Sequence, residues 1–288
     1  MAGKALKVEI KDRIALLTLC RPQAFNSMNA DFWFELPRVI QDISDTASAR
    51  VIVLASSGKH FCAGMDLAVF AGFAQGGESS EPGRRNETMV RALQQLQDVF
   101  TRLEQARVPV LAAIQGGCIG GALDMISACD MRYCTSDAFF CIEETKIGMT
   151  ADLGTLQRLP SLLPQGLVRE MAYTGRRLGA EEALRAGLVN RVYDTQEAML
   201  EEVMEIAAEI AANSPLAVSG CKEMLNYARD HSVSDSLHTM TLWQGGMFQP
   251  QFDLQQAVAA RQQKRAAEFQ ELNAVEFPIQ PLPGPDGE

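Results

Sequence analysis

Residues 114–160 read IQGGCIGGALDMISACDMRYCTSDAFFCIEETKIGMTADLGTLQRLP. Four glycines fall within residues 116–121, and three carboxylates, Asp124, Glu144 and Asp152, follow among mostly apolar neighbours. Carboxylates are seldom buried without a partner, and closely spaced glycines are typical of backbone that turns sharply or approaches a ligand. The stretch therefore indicates a site that offers backbone N–H groups and carboxylates to one small molecule.

The overall composition is that of a globular protein with one large domain, or with a main domain and a smaller one. Of its 288 residues, 47% are hydrophobic and 22% are charged, which is the usual balance for a chain that buries a sizeable core. The net charge of −10 argues against a general nucleic-acid surface, because such a surface must neutralise phosphate. No apolar run approaches the roughly 20 residues of a membrane helix. We therefore expect neither nucleic acid nor membrane as a partner.

The two ends of the chain and its cysteines predict a cytoplasmic location. Residues 1–19 pass directly into a strand-like alternation, without the apolar segment of a signal peptide or the Arg-rich pattern of a transit peptide. Residues 283–288, PGPDGE, carry no peroxisomal tripeptide. The seven cysteines include no CxxC pair, which is typical of reduced thiols inside the cell.

Hydrophobic periodicity predicts alternating strands and helices up to about residue 195. The predicted strands cover residues 6–10, 14–19, 51–55, 108–114, 132–134, 138–142 and 189–192. The predicted helices cover residues 30–43, 87–105, 122–128, 155–159, 165–173 and 180–186. We expect Asn29 to cap the first helix and Pro37 to kink it. Residues 72–86 are rich in Gly, Ser and Pro and are expected to form a mobile surface loop near the mouth of the site.

Beyond residue 195 the sequence shows only helical patterns. They cover residues 196–212, 215–228, 235–246 and 253–271. The Pro-rich residues 278–288 are expected to be disordered. The chain is thus predicted to have three parts, which are a ββα core with the active site at 1–195, a helical region at 196–272 and a disordered tail at 273–288.

Several well-known site motifs are absent from the sequence. The segment QGGCIGG at 115–121 is not GxGxxG, because Cys118 stands where the second glycine belongs. No GxxxxGK[ST] and no GxSxG occurs. His60, His231 and His238 are far apart and lack the spacing of metal ligands. A triad hydrolase and a zinc site are therefore poorly supported, and we expect no bound metal.

Two glycine-marked turns, at residues 58–67 and 115–121, each follow an apolar strand and lead into a short helix. Such turns leave backbone N–H groups free to point at one oxygen, which is the arrangement of an oxyanion hole. The alternative is that the glycines only permit close packing of helix and strand. Likewise, Asp124, Glu144 and Asp152 could be exposed loop carboxylates, and their spacing alone names no reaction.

Several segments resemble the crotonase, or enoyl-CoA hydratase/isomerase, superfamily. These segments are RPQAFNSMN at 21–29, HFCAGMDL at 60–67 and IQGGCIGGALDMISACDMRYC at 114–134. Within the superfamily, ACDMRYCTSDAFF at 128–140 and EETKIGMTADLGTLQRLP at 143–160 look like the Δ3,5-Δ2,4-dienoyl-CoA isomerases.

The resemblance covers roughly residues 5–270 and implies an α/β fold. Members of the superfamily form a crotonase-like spiral of ββα units, followed by C-terminal helices that build homotrimers, commonly paired into hexamers. The implied substrate is an acyl-CoA thioester. Because coenzyme A is part of that substrate, no separate cofactor is expected.

The resemblance also implies an oxyanion hole for the thioester carbonyl. By position, its two donors are the backbone N–H of Met65, which follows Ala63 and Gly64, and the backbone N–H of Gly121, which follows Gly120. Two donors of this kind stabilise the enolate that forms when a proton next to a thioester is removed.

The carboxylates match catalytic positions of the superfamily. Asp124 and Glu144 stand where hydratases carry two glutamates, and Asp152 matches an additional acid that marks the dienoyl-CoA isomerases. The resemblance implies isomerisation of 3,5-dienoyl-CoA to 2,4-dienoyl-CoA in the β-oxidation of unsaturated fatty acids. Glu144 and Asp152 would transfer the protons, and Asp124 would tune their pKa values or orient a water. The alternatives are an enoyl-CoA hydratase, a Δ3,Δ2-enoyl-CoA isomerase, or a non-catalytic acyl-CoA-binding scaffold.

The sequence departs from the superfamily pattern at several positions. Asp124 is one methylene shorter than the hydratase glutamate, which weakens the case for water addition. Ala122 stands where many relatives have a third glycine. Lys146, close to Glu144, is interpreted as a solvated surface charge; the alternative is that it lowers the pKa of that acid.

Overall fold

The structure is a computed structural model that describes residues 3–74 and 81–276. In these residues the strands are β1 (Leu6–Lys11), β2 (Ile14–Leu19), β3 (Val51–Ser56), β4 (Val110–Ile114), β5 (Gly117–Ile119), β6 (Met131–Thr135), β7 (Phe139–Cys141), β8 (Arg177–Gly179) and β9 (Arg191–Tyr193). The α-helices are α1 (Ala30–Thr46), α2 (Leu67–Ala74), α3 (Pro82–Gln105), α4 (Gly121–Ser127), α5 (Thr155–Arg158), α6 (Gln165–Thr174), α7 (Ala180–Ala186), α8 (Gln196–Ala211), α9 (Pro215–Asp230), α10 (Val233–Met247) and α11 (Gln255–Gln263).

The main sheet has the strand order β1-β2-β3-β4-β6-β9 and is covered on both faces. The β1–β2 hairpin is antiparallel and the other pairings are parallel. In β3, Ile52 and Leu54 pack toward α1 and α3, whereas Val51 and Val53 pack toward α8. Burial on both faces explains why β3 and β4 are continuous apolar runs rather than alternating ones.

A second, three-stranded sheet has the order β5-β7-β8 and lies at the glycine turns. Strand β5 pairs with β7 in parallel. An isolated β-bridge between Cys62 and Cys118, formed by backbone hydrogen bonds, attaches the HFCAG segment to β5. Strands β5 and β8 were not predicted, because their three-residue sequences, GCI and RLG, each contain a glycine and show no strand-like pattern. This small sheet brings the two glycine turns side by side.

The segment predicted as a loop at 72–86 is mostly helical where the structure describes it. Helix α2 continues to Ala74 and α3 already begins at Pro82, while residues 75–80 lie outside the described residues. The side chain of Glu81 caps α3 by accepting from two backbone N–H groups. The prediction was wrong about residues 82–86 because proline is well tolerated in the first turn of a helix.

The helix predicted at 253–271 is shorter than expected. A π-helical turn at Pro250–Leu254 leads into α11, which ends at Gln263, and Lys264 adopts a left-handed φ of 52°. The chain after Lys264 is irregular, and Arg50 holds it by donating to the Phe269 carbonyl at 2.7 Å and to Glu271. Of the tail predicted to be disordered, 273–288, residues 277–288 lie outside the described residues, whereas residues 273–276 are described, and Val275 donates its N–H to the Asp45 carbonyl at 2.7 Å.

The remaining predicted elements are present with bounds shifted by a few residues. Asn29 caps α1 by accepting the N–H of Phe32 at 3.1 Å, and Pro37 lies inside that helix. Helix α8 packs on the main sheet, whereas the helices after it leave many large apolar side chains exposed. Among residues 3–74 and 81–276, no helix combines the length and the apolar character that a membrane crossing requires.

Candidate active site

A cleft of about 500 Å³ opens between α2, α3, the start of α4 and the segment 143–153. All the residues predicted for the site line it. They are Ala63, Gly64, Met65, Gly120, Gly121, Asp124, Glu144 and Asp152. The fold therefore brings together carboxylates and backbone groups that are up to 89 positions apart, from Ala63 to Asp152, in the sequence.

The two glycine segments approach each other through backbone hydrogen bonds. Cys62 donates its N–H to the Gly117 carbonyl at 3.1 Å, and Ile119 donates to the Cys62 carbonyl at 3.1 Å. Gly64 adopts a φ of +84°, and a Cβ at this position would lie 2.8 Å from the Ile119 carbonyl oxygen and 3.4 Å from the Gly121 nitrogen. Only glycine fits this approach without strain.

The predicted oxyanion donors lie next to each other. A Cβ added to Gly121 would stand 3.8 Å from the Met65 nitrogen. Within residues 3–74 and 81–276, neither the N–H of Met65 nor that of Gly121 donates a hydrogen bond. Gly121 is the first residue of α4, where backbone N–H groups have no partner inside the helix. The two amides are thus available to one acceptor oxygen.

Asp124 is the most deeply buried of the three acids. It lies in the first turn of α4 with 1% of its surface exposed, and its Oδ1 accepts the backbone N–H of Thr155 at 2.6 Å. Its pKa is raised to about 6, mainly by burial and also by the negative charge of Asp152, whereas the Thr155 hydrogen bond and the Arg158 charge oppose this rise.

Glu144 lies in a short 3₁₀ turn and packs against the second glycine segment. Gly120 has a φ of +56°, and a Cβ there would lie 3.0 Å from Glu144 Oε1. Burial raises the pKa of Glu144 to about 7, with further contributions from the charges of Asp124 and Asp152. Its Oε2 is buried and has no hydrogen-bond partner among the described residues. Glu144 therefore brings a carboxylate oxygen without a partner among the described residues to the lining of the cleft.

Lys146 does not pair with Glu144. Its Nζ lies 3.1 Å from an oxygen of Glu143, and its side chain is 45% exposed. Glu143 also accepts from the Cys141 thiol, and these contacts lower the pKa of Glu143. Lys146 is thus a surface charge, as interpreted from the sequence, with an ion-pair partner that was not predicted.

Asp152 is partly buried in the segment between Met149 and α5. Burial raises the pKa of its carboxyl group, and its main-chain carbonyl accepts from the Gln97 side chain of α3 at 2.7 Å. The effects of its charge on Asp124 and Glu144 show that the three acids lie within electrostatic reach of one another. Such a coupled group of acids titrates as a set.

Apart from Glu143, the rest of the cleft wall is apolar and was not assigned to the site from the sequence. The wall is formed by Leu67, Phe70, Met89, Leu93, Leu96, Ile147, Met149 and Leu153. Leu67 is 79% exposed and Ile147 is 59% exposed. One part of this wall could have been predicted from the sequence, because the eight residues of α2, LAVFAGFA, are all apolar and directly follow a glycine turn. A wall of this kind suits an alkyl or alkenyl chain.

A family model described as enoyl-CoA hydratase/isomerase matches residues 9–272. The chain belongs to the enoyl-CoA hydratase/isomerase family. It is 44% identical over 248 residues to the mitochondrial Delta(3,5)-Delta(2,4)-dienoyl-CoA isomerase of Mus musculus, covering 86% of this chain and 76% of the relative. It is 40% identical to the peroxisomal enzyme of that name from Arabidopsis thaliana, covering 89% and 92%.

Solved structures of family members have the same fold. A probable enoyl-CoA hydratase/isomerase from Mycobacterium abscessus superposes with a TM-score of 0.79 at 31% identity, covering 92% of this chain and 98% of that one. An enoyl-CoA hydratase from Bacillus anthracis superposes with a TM-score of 0.81 at 29% identity, covering 92% and 99%. The predicted crotonase fold with its C-terminal helical region is thus confirmed.

Location and metal content stay predictions for this family member. The names of the Mus musculus and Arabidopsis thaliana relatives place those proteins in mitochondria and peroxisomes, so they lend no support to the cytoplasmic location predicted here. In residues 3–74 and 81–276, no group of three or more His, Cys, Asp or Glu side chains is arranged to hold a metal ion.

Proposed function

We propose that this enzyme isomerises 3,5-dienoyl-CoA to 2,4-dienoyl-CoA in the breakdown of unsaturated fatty acyl chains. The proposal depends on one observation: a single cleft contains Asp124, Glu144 and Asp152 together with two backbone N–H groups that have no acceptor among residues 3–74 and 81–276. Its second support is the identity of 44% and 40% to two enzymes named for this reaction.

The thioester carbonyl is expected to accept hydrogen bonds from the N–H groups of Met65 and Gly121. Removing a C2 proton places negative charge on this carbonyl oxygen, and preorganised donors stabilise that charge as it develops. Loss of one such donor typically slows a reaction by about 10²–10³. The positions of the two amides therefore fix where C1 and C2 of the acyl chain stand.

Glu144 is the proposed base for the C2 proton. C2 is bonded to the carbonyl carbon, so the acid that serves it must lie beside the oxyanion hole. Glu144 packs against Gly120, the residue before the Gly121 amide, and it has a buried oxygen with no partner among the described residues. A pKa of about 7 makes it an effective base near neutral pH, because the best catalytic pKa lies close to the operating pH.

Asp152 is the proposed acid for C6. When the C2–H bond breaks, its electron pair forms a C1–C2 double bond and the carbonyl pair moves onto oxygen, which gives a conjugated enolate. As the carbonyl re-forms, the C1–C2 pair moves to C2–C3, the C3–C4 pair moves to C4–C5, and the C5–C6 pair takes a proton at C6. The acid that supplies this proton must be protonated beforehand, and burial shifts the pKa of Asp152 upward, toward the protonated form. No net oxidation occurs, and the enzyme returns to its starting state by moving one proton between the acids or through solvent.

Asp124 is proposed to tune the other two acids. Its carboxyl group is held by the Thr155 N–H, and its negative charge raises the pKa of Glu144. Asp124 thereby acts through its charge, whereas Glu144 and Asp152 exchange protons with the substrate.

We further propose that the enzyme is a homotrimer or a dimer of trimers. In the single chain, large apolar side chains of the C-terminal helices face solvent, including Leu225 at 72%, Val233 at 77% and Leu237 at 64% exposure. Exposed apolar patches of this kind are typical of subunit interfaces.

The test of the function is an assay with a 3,5-dienoyl-CoA, in which formation of the conjugated 2,4-dienoyl-CoA is followed by absorbance. A parallel assay follows hydration of a 2-enoyl-CoA by the same preparation. We expect the isomerisation to have the much larger kcat/KM. If hydration proceeds and isomerisation does not, the enzyme is a hydratase.

A further inference from the structure

One short segment of the chain, residues 152–158, contains one of the three acids and binds a second one. It begins with Asp152 and contains Thr155, whose backbone N–H binds Asp124 Oδ1 at 2.6 Å. Any shift of this segment therefore moves Asp152 and releases Asp124 at the same time. The side chain that holds the segment in place is Arg158, at its end.

The Arg158 guanidinium reaches both back into its own segment and across to α3. Its Nη1 donates to the Leu153 carbonyl at 3.2 Å, and its Nη2 donates to Glu104 Oε2 at 2.8 Å and to the Thr101 hydroxyl at 3.2 Å. The Arg158 and Glu104 side chains are only 13% and 12% exposed. A planar guanidinium can make these contacts together because its donors are fixed in one fork.

The backbone of the segment is shaped around this guanidinium. Gly154 adopts a φ of +128°, and a Cβ at Gly154 would lie 1.7 Å from Arg158 Nη1. The guanidinium thus fills the space that the missing side chain of Gly154 leaves open. This close fit ties the conformation of the segment to the position of Arg158.

Side chains of helix α3 bind residues 152–158. Gln97 donates to the Asp152 carbonyl at 2.7 Å, and Glu104, two turns later, binds Arg158. Glu104 is itself held by α9, because Arg229 donates to its Oε1 at 2.6 Å and Asn226 donates to its carbonyl at 3.0 Å. Glu104 therefore keeps a charged partner when Arg158 is replaced, so such variants are expected to fold.

We propose that Arg158 is a positioning residue for the isomerisation: it fixes residues 152–158 against α3 and thereby sets where the carboxyl groups of Asp152 and Asp124 stand. This inference rests on the proposed function, since it assigns Arg158 to the same reaction.

The positive charge of Arg158 has a second effect on the site. Asp124 is faced by the charges of Asp152, Glu144 and Arg158 and by the N–H and hydroxyl of Thr155. Arg158 lowers the pKa of Asp124, opposing burial and Asp152. A lysine at this position would keep the charge and lose the forked contacts, whereas a glutamine would lose both.

The test compares Arg158→Gln and Arg158→Lys with a control, Arg185→Gln, which removes an arginine from an exposed ion pair on α7. For Arg158→Gln we expect kcat to fall roughly 10- to 100-fold at nearly unchanged KM, since small displacements of catalytic groups have effects of this size. Its pH profile should also shift, because the pKa of Asp124 rises. Arg158→Lys should keep the wild-type pH profile with a reduced kcat, and Arg185→Gln should match the wild type.

Amide hydrogen exchange gives a readout that does not depend on turnover. In Arg158→Gln, peptides covering residues 152–158 should exchange faster, while peptides from β3 and β4 should match the wild type. Unchanged exchange in residues 152–158 would overturn the proposal, as would a wild-type kcat in Arg158→Gln. If the wild type fails to isomerise 3,5-dienoyl-CoA, the proposed function fails, and the exchange comparison still decides whether Arg158 holds the segment.

Discussion

The roles of single residues follow from how the fold changes the acidity of each carboxyl group. Glu144 and Asp124 have raised pKa values of about 7 and about 6, mainly because of burial. Asp66 lies in the glycine turn at 58–67. It accepts hydrogen bonds from the backbone N–H of Ala68 and from the Ser27 side chain, and these bonds lower its pKa. Acids with raised values can exchange protons near neutral pH, whereas Asp66 is held as a structural anion.

Glu144→Gln should change how stability depends on pH. In the wild type the unfolded chain ionises Glu144 near 4.5 and the folded chain near 7. Folding therefore holds an extra proton between these values, and stability falls as pH rises through this window. Above pH 7 the ionisation of Glu144 in the folded state lowers the free energy of unfolding by up to about 3 kcal/mol. Glu144→Gln removes this penalty.

Urea unfolding of both proteins at pH 5 and pH 8 measures this effect. The stability gap between Glu144→Gln and the wild type should widen in favour of the variant on going from pH 5 to pH 8. Parallel pH dependence of the two proteins would mean that Glu144 is not significantly desolvated in the folded state.

The sequence could predict residues that line one cleft, but not their environments. The motifs at 60–67 and 114–134 are local and carry Met65 and Gly121 directly. The burial of Asp124, its bond to Thr155 and the pairing of Lys146 with Glu143 depend on contacts between distant segments. Such tertiary contacts leave no local pattern in the sequence.

At the scale of elements, the proposed oxyanion hole combines the segment before α2, which carries Met65, with the start of α4, which carries Gly121. Gly121→Pro tests this arrangement, because proline is compatible with the first position of a helix but has no N–H. We expect kcat to fall by about 10²–10³ or more, through loss of the donor and crowding of the hole. Circular dichroism and thermal unfolding should show a folded protein.

Gly121→Ala is the matched control for the proline variant. The added methyl group would lie 3.3 Å from Met28 Sδ, the sulfur of a flexible side chain, and the N–H is kept. Turnover should stay within about tenfold of the wild type. If Gly121→Pro retained the activity of Gly121→Ala, this amide would not be an oxyanion donor.

The elements that the sequence failed to predict share a physical cause. Strands β5 and β8 have three residues each, so their pairing is decided by neighbours rather than by alternation. The segment after Gln263 has good helix formers, yet the chain turns at Lys264 because Arg50 binds Phe269 and Glu271. Tertiary contacts here override intrinsic helix propensity.

At the scale of the whole molecule, the fold class and the family were predicted correctly because the glycine motifs are specific. The division at residue 195 and the assembly state stay predictions. Light scattering should give a mass of three or six copies of the 31.5 kDa chain. A monomer at micromolar concentration would contradict the proposed assembly.

The C-terminal helices should carry the assembly contact. Leu237→Ser on α10, which replaces a side chain 64% exposed in the single chain, should shift the protein toward smaller species. Phe34→Ser, which replaces a side chain 78% exposed on a different element, α1, should leave the mass unchanged. Equal masses for the two variants would place the contact elsewhere.

The central claim is that two acids divide the proton transfer, Glu144 at C2 and Asp152 at C6. Asp152→Asn keeps the size of the side chain and removes its transferable proton. Formation of 2,4-dienoyl-CoA should fall by about 10²–10⁴, whereas exchange of the C2 hydrogens with ²H₂O, followed by NMR, should continue. Glu144→Gln should lose both activities, and Asp124→Asn should show the smaller loss of a tuning residue.

The most direct measurement is the ratio of C2 exchange to product formation in Asp152→Asn. The two-acid account predicts that this ratio rises well above the wild-type value. If Asp152→Asn forms 2,4-dienoyl-CoA at the wild-type rate while Glu144→Gln is inactive, a single carboxylate performs both transfers and the account is wrong.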